Sequence, residues 1–97
     1  MLIEAPYKVG DTVSIKLSSG EEMVARLEEE TESKVVVYKP LMLVAQQQGM
    51  GLAPYMFTVK HDNKFYLNAR NIICIAKTEK EMASKYIEST TGIAVVN

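Results

Sequence analysis

The sequence predicts a mainly β fold: a small, strongly bent five-stranded open barrel with a C-terminal helix and a long arm between the third and fourth strands. Three observations carry this. Val13, Ile15 and Leu17 alternate with Thr12, Ser14 and Lys16, and Met23, Ala25 and Leu27 alternate with Val24 and Arg26. That is the period-two signature of two strands, each with one buried face. Between them, Ser18-Ser19-Gly20-Glu21 is a short polar linker whose glycine can take the positive φ of a tight hairpin. Downstream, further β-type runs at 35–38, 65–68 and 71–76 are separated by polar breaks, and the apolar spacing becomes helical only after Thr78.

Residues 1–10, with Pro6 and Gly10, read as a lead-in loop with no room for a substantial helix. After the 11–27 hairpin, Glu28-Glu29-Glu30-Thr31-Glu32 reads as an acidic, solvated bend. Val35, Val36, Val37 and Tyr38 supply a third strand rich in β-branched residues. Pro40, in its continuation, marks an edge or a bulge, because proline cannot donate to a ladder.

Residues 41–59 form the arm, apolar at both ends with Gln46-Gln47-Gln48-Gly49-Met50-Gly51 between. This predicts two extended limbs joined by a Gln/Gly tip. The arm holds Met42, Met50 and Met56, half of the six methionines. Single methionines usually fill cores, but they also suit adaptable contact surfaces. The arm has more apolar side chains than a small barrel needs, so part of it is expected to face a partner subunit.

Residues 71–76, NIICIA, are apolar on both alternating faces, so this strand is central in its sheet or lies against a neighbouring chain. Thr78-Glu79-Lys80-Glu81 has the form of a capping box. Met82, Ala83, Tyr86 and Ile87 follow as one apolar helical stripe. Gly92 is a C-terminal stop, and the tail Ile93-Ala94-Val95-Val96 adds a strand or docks on a neighbour. No linker divides the chain, which reads as one domain over 1–97: lead-in 1–10, barrel 11–76, helix 78–91.

Composition narrows the function. A 97-residue chain buries roughly 60–65% of its unfolded surface, so oligomerisation is a natural source of extra stability. The apolar fraction of 47% is that of a globular domain. Eleven basic and twelve acidic side chains give a net charge of −1. Tight nonspecific duplex binding needs a strong basic excess and is disfavoured, whereas a local basic patch remains open. The one cysteine, Cys74, excludes an internal disulfide framework and fits a reducing compartment. The opening MLIEAPYK lacks the charged and apolar regions of a signal peptide, and no apolar run approaches the ~20 residues of a membrane span. A cytoplasmic protein with no membrane partner is the expectation.

Catalytic chemistry has little to work with. His61 sits in a polar turn and reads as a surface residue, and Cys74 lies in an apolar strand, where a buried thiol is inert. A structural zinc site wants about four Cys or His ligands, and the chain has these two. The acidic run lacks EF-hand spacing, and no lysine follows Gly49-Met50-Gly51 as a phosphate loop requires. Neither an enzymatic activity nor a cofactor or metal is expected.

Two motifs then carry a resemblance. Leu17-Ser18-Ser19-Gly20, Met23-Val24-Ala25-Arg26-Leu27 and the acidic bend follow one pattern; Leu67-Asn68-Ala69-Arg70-Asn71-Ile72-Ile73 follows a second. Both in this order resemble the Sm and Sm-like (LSm, Hfq-type) proteins, whose fold is a variant of the SH3-like barrel. The likeness covers roughly 9–37 and 65–76, a little under half of the chain. It implies a ring in which the fourth strand of one subunit pairs with the fifth of the next. It also implies single-stranded RNA held near the ends of the two motifs, by Ser33, Lys34, Asn68 and Arg70.

The sequence departs from the family pattern at those places. Ser33, Lys34 and Val35 stand where the family has an Asn and an aromatic that help hold a uracil. Asn68 stands for the expected Arg, Ala69 for the Gly, and Arg70 is shifted by two places. Ala25 replaces a glycine that eases strand bending, the arm exceeds the usual variable loop, and the helix lies C-terminal instead of N-terminal.

Two functions follow. One is a homo-oligomeric ring that binds single-stranded RNA in RNA processing or regulation. The other is an oligomeric scaffold or adaptor for protein partners that has lost the base pocket and uses the arm and helix as contact surfaces. A barrel that binds a small ligand is a weaker third, since no polar constellation marks a pocket.

Overall fold

The computed structural model describes residues 6–60 and 62–91. Residues 1–5 of the lead-in, His61, Gly92 and the tail over 93–97 lie outside these residues. Six antiparallel strands precede one helix: β1 (Thr12–Leu17), β2 (Glu22–Glu30), β3 (Lys34–Gln46), β4 (Gly49–Pro54), β5 (Lys64–Asn68), a 3-10 turn (Ala69–Asn71), β6 (Ile72–Lys77) and α1 (Lys80–Thr91). No helix among the described residues is long and apolar enough to cross a membrane.

The first hairpin forms as its alternation dictates. Val13 faces Ala25 and Ile15 faces Met23 across the β1–β2 ladder, and all four are fully buried. Gly20 closes the turn at φ 107°, a conformation a side chain would strain. Leu17, Leu27, Val35, Val37, Met42 and Phe65 complete the same cluster inside the bend of the sheet. Each such side chain contributes on the order of 1.5–3 kcal/mol on burial.

β3 is the spine. One side pairs with β2; the other pairs first with β5, Lys34 opposite Asn68, and then with β4, Leu41 opposite Pro54. β4 and β5 therefore form one ladder interrupted by residues 55–63. The arm's two limbs are the outer half of β3 and β4, joined by a tight turn at Gln47-Gln48 with Gly49 at φ 125°. Six strands replace the expected five because the arm joins the sheet, and the fourth strand is present in two pieces. Of the arm's methionines, Met42 is in the core, whereas Met50 and Met56 are exposed.

A bulge bends the spine. On β2, Ala25 alone lies between Val24 and Arg26; on β3, Lys39 and Pro40 both lie between their partners Leu41 and Tyr38. Two residues against one is a β-bulge, which sharpens local twist. Pro40 is thus a buried bulge residue in a central strand and not an edge marker. Lys39 takes φ 52°, unusual for a non-glycine residue. At the bulge the Tyr86 hydroxyl, donating from α1, reaches the carbonyl oxygens of Lys39 (2.7 Å) and Tyr38 (2.9 Å). The Lys39 ammonium donates to the Thr90 carbonyl at the end of the helix (2.9 Å), a favourable place for a cation.

Several expectations are corrected here. Glu28-Glu29-Glu30 belong to β2, so only the few residues after them form the bend. A strand with one solvated face tolerates charges, and Glu28 is held there by Arg26 and Lys64 at 2.8 and 3.7 Å. Val24, expected on the polar face, is buried with Leu41 and Tyr86 because α1 covers the outside of the sheet. β6 is an edge strand that pairs with β1 alone among the described residues, and a register shift leaves Ile73 unpaired and 64% exposed. Cys74 is exposed, not buried. The capping box does not form. Thr78 shares a hydrogen bond with the Ser14 hydroxyl (2.8 Å), its N–H extends the β1 ladder to Thr12, and the helix starts at Lys80. Within the predicted stripe Tyr86 is buried, Met82 and Ala83 are half-buried, and Ile87 faces solvent.

Candidate functional site

Two turns distant in sequence meet at one rim of the barrel. The first, residues 31–34, is organised by Thr31. Its hydroxyl oxygen accepts from the N–H groups of Ser33 (3.3 Å) and Lys34 (3.1 Å), and its N–H donates to the Lys34 carbonyl (2.8 Å). A threonine hydroxyl mimics a backbone group in such turns. The second turn is the 3-10 segment, capped by Asn68, whose Oδ1 accepts from the Arg70 N–H (2.9 Å).

The turns are tied to each other. The Ala69 N–H donates to the Ser33 carbonyl (3.0 Å), and Lys34 is the ladder partner of Asn68. The Ser18 N–H donates to the Asn71 carbonyl (2.7 Å), which joins the β1–β2 turn to the same rim. Ser33, Lys34, Asn68 and Arg70 are thus brought together.

Their side chains differ in what they can do. The Asn68 oxygen is committed to its own turn. The Lys34 ammonium lies 3.9 Å from the Glu29 carboxylate and 5.6 Å from the centroid of the Tyr66 ring. Arg70 is exposed, and its guanidinium has no ion pair among the described residues. Acidic groups also border this rim, where Glu30 and Glu32 line a cavity with Ala69 and Ile72. There Tyr7 donates to Glu30 (3.0 Å), and burial, then that carboxylate, pushes the Tyr7 pKa up, so it serves as a neutral strut.

Tyr66 was not among the residues the sequence singled out for the site. It is 68% exposed on the outer face of β5. The signal was present: Phe65 packs in the core and Leu67 against it, so strand alternation sends Tyr66 outward. It borders a shallow depression of about 500 Å³ lined by Ser18, Ser19, Tyr55, Asn68 and Asn71 among others. Further along the same outer face, Arg26 lies 4.6 Å and Lys39 5.3 Å from the Tyr38 ring centroid. Cations and aromatic rings therefore alternate across the outside of β2, β3 and β5. No three His, Cys, Asp or Glu side chains cluster as a metal site among the described residues.

No protein-family model matches the chain, and no curated protein does. Among solved structures, it is similar to the crystal structure of a heptameric archaeal Sm protein, with a TM-score of 0.53 and 11% sequence identity over 73% of this chain and 90% of that one. At that identity the likeness is one of fold, and the fold of this chain is Sm-like.

Proposed function

We propose that the chain is the subunit of a ring-forming Sm-like assembly that holds single-stranded RNA at the rim built from residues 31–34 and 68–71. The observation that supports the RNA reading is the union of those two turns, through the Lys34–Asn68 ladder pair and the Ala69–Ser33 hydrogen bond, with Arg70 exposed on the 3-10 turn and without an ion pair among the described residues. Cations beside unstacked bases are what single-strand recognition uses.

Assembly is supported by the sheet's open edges. β4, β5 and β6 each have one ladder partner among the described residues, and β6 presents Ile73 to solvent. Joining the β5 edge of one copy to the β6 edge of the next is a head-to-tail contact, which closes into a ring when the rotation permits. The solved structure it resembles is heptameric.

Light scattering on the purified chain tests assembly: a closed oligomer is expected, and a monomer at micromolar concentration overturns it. Titration of labelled oligo(U) and oligo(A) into the wild type and Arg70→Ala tests the RNA reading. Binding that the substitution weakens is expected, and absence of binding at low salt overturns it. One observation favours the scaffold alternative: Phe57 is 86% exposed in the 55–63 excursion, with Met56 beside it and Met50 also exposed, a surface suited to a protein partner.

A further inference from the structure

We infer that Tyr66 is a base-stacking platform, and that the single strand is therefore bound with little preference among bases. This rests on the RNA reading above. Three features of the molecule converge on it. First, Tyr66 presents its ring to solvent from a rigid strand, not a loop: it is 68% exposed, while Phe65 beside it is in the core and its ladder partner Val36 is buried. A ring held this way is fixed in place before binding, so it carries little ordering cost.

Second, cations stand at the ring. The Lys34 ammonium lies over it, 5.6 Å from its centroid and 3.9 Å from the Glu29 carboxylate, so a base taking that face displaces it toward a phosphate. Lys64 lies two residues back on the same face of β5, roughly 7 Å along the strand. Its ammonium sits 3.7 Å from Glu28, which Arg26 already neutralises at 2.8 Å. A base on Tyr66 would leave its phosphates within reach of Lys34 on one side and Lys64 on the other. The depression between Tyr66 and the β1–β2 turn offers space for an adjoining nucleotide.

Third, several of the polar side chains that could read base edges at this rim are occupied with their own turns. The Asn68 oxygen accepts from Arg70. The Thr31 hydroxyl serves Ser33 and Lys34, and the Ser19 hydroxyl donates to Glu21. What remains strongest is a π face, which every base can use, and point charges, which bind phosphate.

The test is fluorescence anisotropy with short labelled oligo(U), oligo(A) and oligo(C), a DNA strand and a duplex, on wild type, Tyr66→Ala, Tyr66→Phe, Lys34→Ala and Arg70→Ala. Tyr66 is exposed, so these variants should fold as the wild type does, which circular dichroism checks. The three RNA sequences should bind within about threefold of one another. Tyr66→Ala should weaken all three by roughly five- to a hundredfold, as loss of one stacking ring does, with Tyr66→Phe close to wild type. Lys34→Ala should lower the salt dependence of binding by roughly 0.7 in log–log slope, the share of one phosphate on a single strand. Binding that Arg70→Ala weakens and Tyr66→Ala does not would overturn the platform and leave the RNA reading standing. A strong preference for oligo(U) would overturn the base tolerance, and capture of the duplex as tightly as the single strands would overturn stacking. If none of the oligonucleotides binds, the RNA reading fails and this inference with it.

Discussion

The Tyr86 hydroxyl offers the sharpest test of how the fold is held together. It donates to the carbonyls of Tyr38 and Lys39 at the bulge, where α1 meets the sheet. Tyr86→Phe removes the hydroxyl and keeps the ring, which stays packed on Val24 and Leu41. The loss is one hydrogen bond plus the cost of leaving half-buried carbonyls without it, together about 1–3 kcal/mol. One proton serves both carbonyls, and the site is only partly buried, so we expect about 1.5 kcal/mol. For a chain of this size that lowers the melting temperature by roughly 6–12 °C.

Urea and thermal unfolding of the two proteins measure it, with Tyr86→Ala as the reference that also loses the ring and costs about 3–5 kcal/mol. If Tyr86→Phe stays within about 0.3 kcal/mol of wild type, the hydroxyl does not stabilise the bulge and the argument fails. If it falls as far as Tyr86→Ala, the ring is not what anchors the helix.

The same residue predicts an alkaline transition. Burial pushes the Tyr86 pKa up from near 10 to about 12. The folded state thus favours the neutral phenol, and its contribution, full below pH ~10, is lost as the pH rises toward 12; stability should fall over that window and fall less in Tyr86→Phe. Ile73→Lys places a charge on the exposed edge strand and should turn the assembly into a monomer with an unchanged melting curve for the subunit; sedimentation velocity reads this, and an intact oligomer would show that β6 is not the contact. Gly20→Ala should cost about 1 kcal/mol by chemical denaturation, because open space surrounds the site and the positive φ alone is penalised. Gly51→Ala meets only the end of the Gln46 side chain, which can swing aside, so it should change stability by less than about 0.5 kcal/mol.

The first hairpin was legible because alternation is local: Val13 to Leu17 and Met23 to Leu27 declare their buried face without knowledge of their neighbours. Where partners are remote, the sequence misleads. NIICIA has apolar side chains on both faces, yet its place at the sheet edge is set by pairing with β1 about sixty residues earlier, and its second edge finds no cover among the described residues. Thr78 looked like a cap because its local context fits one, but its hydroxyl meets Ser14 instead. Val24 looked solvent-facing because a helix laid over the outside of a sheet leaves no mark in the strand beneath it.

At the rim, Ser33, Lys34, Asn68 and Arg70 came from a family pattern, and the structure brings them to one place. Tyr66 needed only the alternation of its own strand. Thr31, the residue that shapes the first turn, was hidden by the glutamates around it, whose charge suggested a bend wider than the one that forms.

The excursion between β4 and β5 makes the fold tolerant of changes in chain length at one place. The chain leaves the ladder after Pro54, opposite Leu41, and rejoins it at Lys64, opposite Tyr38, three residues nearer the start of β3, with Tyr55 packed edge-on against Phe65 (6.1 Å between centroids). Beyond Tyr55 the segment reaches Phe57, whose side chain lies in solvent. Doubling a loop of this kind costs only about 0.6 kcal/mol in closure entropy. A peptide tag or a whole small domain spliced after Phe57 should therefore leave both halves of the ladder in register. That makes this loop the natural place to attach a reporter for following the subunit in a mixture.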